Sequence, residues 1–256
     1  MSKVKMLLQQ LQDGVKEVFS SGEYQEFLRF YSKMHKYSIR NVMLILTQMP
    51  EARMVASYRT WKSLGINVKK GEKGLNVLVP IPYKKRDVEE EEEGIWFKVG
   101  SVFDVSQTDG YIPDLCKELT MNSKEVRELV NWLIAKWNVH FDFSLVGKDK
   151  KGYCSPFRGI VLQPEMSDSQ TLKTLVHERA HQIMHIGTAI DRETAELEAE
   201  STAFVVCGSL GVETGDYSFG YVVGWAGAHS KSELEKSLTR IERCSKELLQ
   251  EIGEWR

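Results

Sequence analysis

The residues best suited to chemistry in this chain are two histidines and a glutamate in the segment His177-Glu178-Arg179-Ala180-His181. In an α-helix, a spacing of four residues places both imidazoles on one face, one turn apart. Neutral imidazole nitrogens bind Zn²⁺, and a glutamate beside them can take a proton from water on the metal. The pattern therefore predicts a site for metal-assisted peptide hydrolysis, with His177 and His181 as ligands and Glu178 as general base and later as acid.

A third protein ligand must come from elsewhere, because catalytic zinc usually keeps three protein ligands and one water. The next predicted helix carries Glu196 and Glu200, which are four residues apart and therefore share a face. We expect Glu196 to bind the metal and Glu200 to orient a histidine ligand, while the reverse assignment stays open. Zn²⁺ is the expected ion, and Mn²⁺ or Fe²⁺ could also occupy a site of two histidines and one glutamate.

Three further side chains near this site are candidates for ligand or substrate contacts. Tyr153 lies on a predicted edge strand, and such a strand can hold an extended peptide by backbone hydrogen bonds. Tyr221 follows the ligand helix and could stabilise an oxyanion, although aromatic packing is the simpler explanation for it. His185 continues the histidine face and is either a fourth ligand or, as we expect, a hydrogen-bonded structural group.

Length and composition are those of a packed globular chain of one large or two small domains. The chain has 256 residues, of which 42% are hydrophobic and 27% are charged. No apolar run approaches the about 20 residues of a membrane helix, and residues 1–20 do not form a secretory signal. The four cysteines form no C-x-x-C pair and fit reduced thiols. We therefore expect a cytoplasmic protein with no membrane partner.

Charge is distributed unevenly along the chain. Up to Arg86 there are 16 Lys and Arg residues against 6 Asp and Glu, whereas the remainder has 18 against 30. This asymmetry predicts two units with different partners, the basic one facing nucleic acid or being merely solvated. The run Glu89–Glu93 follows directly and indicates a solvated loop or a hairpin tip.

Hydrophobic spacing predicts the elements that position these residues. Helices are expected before residue 50, strands over 75–81, 95–99, 139–145 and 152–163, and further helices over 123–137, 169–185, 192–208 and 231–252. The fold class is therefore α+β with two domains. Residues 1–112 combine helices with a small β-sheet, and residues 113–256 hold the predicted metal site.

The first domain also has features of a surface for single-stranded DNA, which favours a basic groove with aromatic stacking platforms. Basic side chains surround a Gly-rich turn, and aromatic residues are interleaved with them. The candidates are Arg40, Arg59, Trp61, Lys69, Lys70 and Lys73. The alternative is that Trp61 belongs to the core and that the lysines are only solvated.

Several ordered motifs resemble a known protein family. Segments 37–48 (Tyr37-Ser38-x-x-Asn41-x-x-Leu44-Ile45-x-x-Gln48), 61–65, 68–74 and 102–108 are similar to the N-terminal domain of ArdC-type antirestriction proteins, which is described as single-stranded-DNA-binding. The segment 174–181 with Glu196-x-x-x-Glu200 resembles the ImmA/IrrE-like zincin domain that accompanies it, a metallopeptidase fold of the gluzincin type.

This resemblance implies a mobile-element or phage protein that protects incoming DNA, and it adds Asn41 to the DNA-binding candidates. Arg179 departs from the family pattern, which usually has a small or apolar residue there, and we expect it to point away from the metal. Two other functions stay open. One is a non-catalytic protein that coats DNA and uses the metal structurally. The other is a regulator-cleaving protease whose first domain docks protein.

Overall fold

The computed structural model of the chain describes residues 2–20, 22–84, 93–110, 121–148, 150–212 and 219–255, without the side chains of residues 12, 83, 84 and 93–95. The predicted acidic loop Glu89–Glu93 therefore lies outside the described residues, apart from the backbone of Glu93. Cys116, one of the four cysteines, lies outside them as well.

The helices are α1 Lys3–Ser20, α2 Tyr24–Lys33, α3 Ile39–Gln48, α4 Tyr58–Ser63, α5 Ser123–Lys136, α6 Asp168–Met184, α7 Arg192–Ser209, α8 Val222–Ala228 and α9 Lys231–Gly253. The strands are β1 Val55–Ser57, β2 Leu75–Lys84, β3 Glu93–Asp104, β4 His140–Phe141, β5 Gly152–Ser155 and β6 Gly159–Leu162. The predicted α+β class is confirmed. Within the described ranges, no helix has the length and hydropathy to span a membrane.

The chain folds into two compact units, residues 1–17 with 40–116 and residues 18–39 with 117–256. The domain boundary expected from the sequence lies near residue 112. The structure differs from that expectation in the placement of residues 18–39, which fold with the second unit. They do so because the apolar face of α2 packs on α7. Its buried residues include Tyr24, Phe27, Leu28 and Tyr31.

The first unit contains an antiparallel sheet of order β1-β3-β2, and the edge of β2 is covered by two amide side chains of α3. Asn41 donates to the carbonyl of Leu78 at 2.9 Å and accepts from its N–H at 2.8 Å. Gln48 donates to the carbonyl of Asn76 at 3.0 Å and accepts from its N–H at 2.8 Å. These side chains satisfy backbone groups that an edge strand otherwise leaves unpaired.

The second unit packs its long helices beside a small sheet of order β4-β6-β5, in which β5 is an edge strand. The single strand predicted over residues 152–163 is wrong, because this segment is a hairpin that turns between Ser155 and Gly159. Pro156 lies in the turn and cannot donate to a ladder, and Gly159 adopts a φ of 66°. The turn brings β5 alongside α6.

The strand predicted over residues 139–145 is also wrong beyond its first residues. Only His140 and Phe141 pair in the sheet, parallel to β6. The side chain of Asp142 then accepts from the N–H of Ser144 at 2.9 Å and starts a short 3-10 helix. This local hydrogen bond competes with continued strand pairing.

Candidate metal centre and nucleic-acid surface

Helix α6 presents the H-E-x-x-H residues from a firmly anchored position. Its first turn is capped by Ser167, whose hydroxyl accepts from the N–H of Gln170 at 3.3 Å. Leu172, Leu175 and Val176 are fully buried on one side of the helix. Because successive residues are about 100° apart, this anchoring leaves the two histidines of the motif on the side that faces a cleft.

Three potential ligand atoms converge at this cleft. The Nε2 atoms of His177 and His181 are 3.0 Å apart. Oε2 of Glu196, on α7, is 3.4 Å from Nε2 of His177 and 3.6 Å from Nε2 of His181. A tetrahedral ion with bonds of about 2.0–2.1 Å separates its ligands by about 3.3–3.4 Å. The spacing and the donor set of two imidazoles and one carboxylate therefore fit a divalent metal ion.

Glu178 lines the same cleft and is 7% exposed. Burial raises the pKa of its carboxyl above the ordinary value, against the opposing effect of His177 and His181. A carboxyl group with a raised pKa exchanges a proton more readily near neutral pH. This arrangement can therefore receive a proton from a reactant in the cleft and release it again.

Glu200 approaches His177 from the other side of the imidazole. Its Oε2 lies 3.2 Å from Nδ1 of His177, a close contact that is not aligned as a hydrogen bond. Glu200 also pairs with the ammonium of Lys173 at 2.9 Å. Burial lowers the pKa of His177, but the contacts with Glu196 and Glu200 outweigh it and raise the pKa to about 9. The two glutamates thus face different nitrogens of one histidine.

A buried chain of contacts extends behind His181. The Nδ1 atoms of His181 and His185 are 2.9 Å apart, and Nε2 of His185 is 3.1 Å from Oε2 of Glu198. Glu198 is fully buried on α7. Both ring nitrogens of His185 are therefore engaged, as expected for the hydrogen-bonded alternative and not for a fourth ligand.

Glu198 itself is held by α9. It accepts from the Nε atom of Arg240 at 2.8 Å and from the hydroxyl of Ser237 at 2.7 Å. Sequence analysis gave Glu198 no role, because it lies about 200° around the helix from Glu196. Its side of the helix faces the interior, where a carboxylate must be paired with a basic or a hydrogen-bonding partner. The pattern along α7 alone does not identify that partner.

The metal centre, defined as His177, His181 and Glu196 with Glu178 and Glu200 beside them, opens into a cleft of about 690 Å³. Tyr153 on β5 lines this cleft, as do Lys150, Lys151, Cys154 and Arg192. Tyr221 lies outside the lining that the described residues form and is 38% exposed. Burial, followed by the charges of Glu200 and Glu196, raises the pKa of Tyr221 to about 12, which keeps its hydroxyl protonated.

Arg179, inside the motif, points away from the metal centre. Its guanidinium pairs with Glu251 of α9 at 3.2 Å and donates to Gln182 at 2.7 Å. It also lies 5.4 Å from the centre of the Trp137 ring. Arg179 thus links α6 to α9 and to Trp137 at the end of α5, and it contributes no charge to the metal centre.

In the first unit, the predicted basic residues are exposed, whereas the side chains of two other predicted DNA contacts, Trp61 and Asn41, are engaged within the fold. Arg40, Arg59, Lys69, Lys70 and Lys73 are all exposed. Trp61 is 1% exposed, and its indole N–H donates to the carbonyl of Phe103 at 2.8 Å, so it cannot stack on a base. Both polar atoms of the Asn41 side chain are hydrogen-bonded to the backbone of Leu78 on β2, as described above.

The Gly-rich basic turn is held in place by the segment 102–108. Asp104 is 1% exposed and accepts from the N–H groups of Arg53 and Met54. Gln107 donates to the carbonyl of Lys73, and Lys69 donates to the carbonyl of Ser106, both at 2.9 Å. This segment therefore fixes the turn that carries the predicted lysines.

Sequence analysis missed an exposed indole in the same unit. Trp96 on β3 is 65% exposed, and Lys98 shares its strand face because side chains alternate. Tyr58, one of the aromatic residues that the sequence interleaves with the basic ones, is 55% exposed. Trp96 lies in the outer half of the β2–β3 hairpin, beyond the buried Val102. Its position in the outer half of a hairpin, rather than its residue type, is the sequence signal that could have identified Trp96 as an exposed side chain.

Comparison with known proteins agrees with this architecture. Residues 3–104 match the family model of the N-terminal domain of anti-restriction factor ArdC. The uncharacterized protein pXO2-81 of Bacillus anthracis is 27% identical over 292 aligned positions, which cover 94% of this chain and 50% of that protein. The chain thus spans about half the length of this curated relative.

Two crystal structures of the antirestriction ArdC protein from the R388 plasmid are also similar to it. The Mn(II)-bound structure has a TM-score of 0.61 and 22% identity, with 94% of this chain and 97% of that chain covered. The metal-free structure has a TM-score of 0.57 and 23% identity, with 85% of each chain covered. The chain therefore has the fold of ArdC.

Proposed function

We propose that this chain, with an ArdC-type N-terminal domain over residues 3–104 and the ArdC fold throughout, is an antirestriction protein that protects incoming DNA of a mobile element or phage. Its first unit binds single-stranded DNA, and its second unit is a gluzincin-type peptidase. The observation that carries the enzymatic part is the convergence of His177, His181 and Glu196 within 3.0–3.6 Å, with Glu178 in the same cleft.

The metal would be held by His177, His181 and Glu196. When bound, a divalent ion lowers the pKa of water and polarises a peptide carbonyl. The Mn(II) in the R388 ArdC structure supports a divalent ion here, and the same donor set takes Zn²⁺ or Fe²⁺. We propose Zn²⁺ for peptide hydrolysis, with Mn²⁺ as the first alternative.

Glu178 performs the proton transfers in this proposal. Hydrolysis of a peptide bond requires the attacking water to lose a proton and the leaving amine to gain one. The buried carboxylate of Glu178 accepts the first proton and delivers it to the amine, and its raised pKa suits both steps. The protonated hydroxyl of Tyr221 is a candidate donor to the developing oxyanion, and Tyr153 is a candidate substrate contact on β5.

The histidine chain positions His181 for metal binding. If Nε2 of His181 binds the ion as a neutral imidazole, its proton resides on Nδ1 and is donated to Nδ1 of His185. His185 then carries its own proton on Nε2 and donates it to Glu198. The buried carboxylate of Glu198 thus selects the ring orientation and tautomer of His181 through His185. Glu200, whose Oε2 lies 3.2 Å from Nδ1 of His177, orients that ring by its charge.

The DNA-binding part of the proposal rests on exposed charge and exposed aromatic rings. Phosphates would pair with the exposed basic residues of the first unit, and bases would stack on Trp96 and Tyr58. The residues proposed for phosphate contact are Arg40, Arg59, Lys69, Lys70 and Lys73. Trp96 and Lys98, on one strand face, combine both kinds of contact.

The proposal is tested on the full chain with metal binding and peptide cleavage as separate readouts. Equilibrium dialysis against Zn²⁺ and Mn²⁺ should give one bound ion per chain, and this ion should be lost in the His177→Ala variant. The metal-loaded chain should then cleave fluorescein-labelled casein. Stoichiometric metal without cleavage would favour the DNA-coating protein with a structural metal, and no bound metal would remove the peptidase proposal.

A further inference from the structure

The cleft above the metal centre has a basic rim. Among the described residues that line it, the carboxylates all belong to the metal centre. The remaining charged residues are Lys150, Lys151, Lys173 and Arg192. Lys173 is paired with Glu200 at 2.9 Å, whereas the other three are exposed at the surface of the cleft. The part of the cleft that a substrate would meet is therefore positively charged.

The three exposed basic residues come from two different segments of the chain. Lys150 and Lys151 directly precede β5, and the Lys150 ammonium lies 5.0 Å from the centre of the Tyr153 ring. This cation–π contact holds the ammonium against the cleft wall. Arg192 is the first residue of α7, the helix that carries Glu196. A bound divalent ion would offset the negative charge of the carboxylates in the metal centre and leave the rim as the source of positive charge.

We propose that the substrate of this cleft is an acidic peptide segment, with Asp or Glu near the bond that is cleaved. This inference rests on the proposed peptidase function and specifies its substrate class. Carboxylates of the peptide would pair with Lys150, Lys151 and Arg192, and the basic rim would also steer an acidic segment into the cleft. A basic segment would be repelled by the rim.

The adjoining strand favours a peptide over a nucleic acid as the occupant. In the described part of the sheet, β5 pairs with β6 on one side only. The backbone groups along its other edge match those of an extended peptide. A nucleic acid lacks the alternating amide donors and acceptors that such an edge requires. Tyr153 and Cys154, which line the cleft from β5, place this edge beside the metal centre.

The experiment uses the metal-loaded full chain and three series of quenched fluorescent decapeptides. The series are identical except that their variable positions carry Glu in the first, Gln in the second and Lys in the third. The wild type should cleave the Glu series fastest. The Lys150→Glu/Lys151→Glu variant should lose about tenfold in kcat/KM on the Glu series and gain on the Lys series. Arg192→Glu should act in the same direction. Lys148→Glu, an exposed neighbour outside the cleft lining, should leave the preference unchanged.

The outcomes separate this inference from the proposed function. Equal cleavage of the three series by the wild type would overturn the acidic preference and leave the peptidase standing. Cleavage of none of them would overturn the peptidase and the preference together. A single-stranded oligonucleotide that binds the wild type, inhibits cleavage and loses binding on charge reversal at the rim would assign the rim to nucleic acid and overturn the inference.

Discussion

The Nδ1 atoms of His181 and His185 lie 2.9 Å apart. Two ring nitrogens at that distance share one proton, so one imidazole donates and the other accepts. His185 contacts the carboxylate of Glu198 through its second nitrogen at 3.1 Å. The orientation of His181, a proposed metal ligand, thus depends through His185 on the fully buried carboxylate of Glu198.

Glu198→Gln should weaken metal binding without removing any ligand. The neutral amide accepts a proton from His185 less strongly and can present its NH₂ group instead, so the preferred tautomer of His181 is lost. We expect metal affinity to fall about 10- to 100-fold. Competition with a chromophoric chelator, at a temperature where both proteins are fully folded, measures this loss.

Glu193→Gln is the matched control for Glu198→Gln, because Glu193 is an exposed glutamate on the same helix. It should retain the wild-type affinity. If Glu198→Gln binds metal as tightly as the wild type and only unfolds at a lower temperature, the carboxylate serves the fold alone. The absorption spectrum of the Co²⁺-loaded protein, which reports ligand geometry, distinguishes these cases.

Glu196→Ala should lose more metal affinity than Glu200→Ala. Glu196 contributes a potential ligand atom 3.4 Å from Nε2 of His177, whereas Glu200 contacts only the Nδ1 side of that ring. Removing a ligand should abolish stoichiometric binding, and removing an orienting carboxylate should cost about 10- to 100-fold. Calorimetric titration with Zn²⁺ measures both, and the reverse order of losses would exchange the two roles.

Glu178→Gln should keep the metal and lose peptide cleavage. The amide is close in size to the carboxylate but cannot accept the proton of the attacking water, so kcat should fall at least about 100-fold. Metal content by dialysis serves as the control within the same sample. Undiminished casein cleavage by the variant would contradict the role of Glu178. Intact antirestriction by the variant would favour DNA coating as the source of protection.

Metal affinity should rise with pH up to about pH 9. In the metal-free protein, burial lowers the pKa of His177, but the contacts with Glu196 and Glu200 outweigh it and raise the pKa to about 9, above the ordinary value of 6.5, which favours a protonated imidazole at neutral pH. Metal binding must displace that proton, and the apparent affinity should therefore increase about tenfold per pH unit below 9 and level off above it. Chelator competition between pH 6 and 10 measures the slope, and an affinity independent of pH would show that His177 is neutral before metal binds.

Sequence periodicity was sufficient to predict those parts of the candidate site whose contacts are local. The four-residue spacing of His177 and His181 and the helix carrying Glu196 follow from residues within one or two turns. Glu198 was missed because Arg240, its partner, is 42 residues away and belongs to another helix. Residues 18–39 were assigned to the first domain because helical spacing shows which face is apolar but not which unit buries it.

Sequence periodicity also did not show which of the two tryptophans of the first unit is buried. These two residues provide a paired test of DNA binding. Trp61 is 1% exposed, whereas Trp96 is 65% exposed. Trp96→Ala in the full chain should weaken binding of a labelled single-stranded oligonucleotide by about 1–3 kcal/mol, with little change in stability. The full chain is required because residues 18–39 fold with the second unit.

Trp61→Ala should have the opposite profile. Loss of its buried indole and of the hydrogen bond to Phe103 should lower the free energy of unfolding by about 3–5 kcal/mol. Binding by the fraction that remains folded should be close to that of the wild type.

The affinity of the wild type should also fall steeply with salt, because the exposed lysines would displace counterions from phosphates. Equal affinity of Trp96→Ala and the wild type would remove Trp96 from the DNA surface, and affinity insensitive to salt would remove the phosphate contacts.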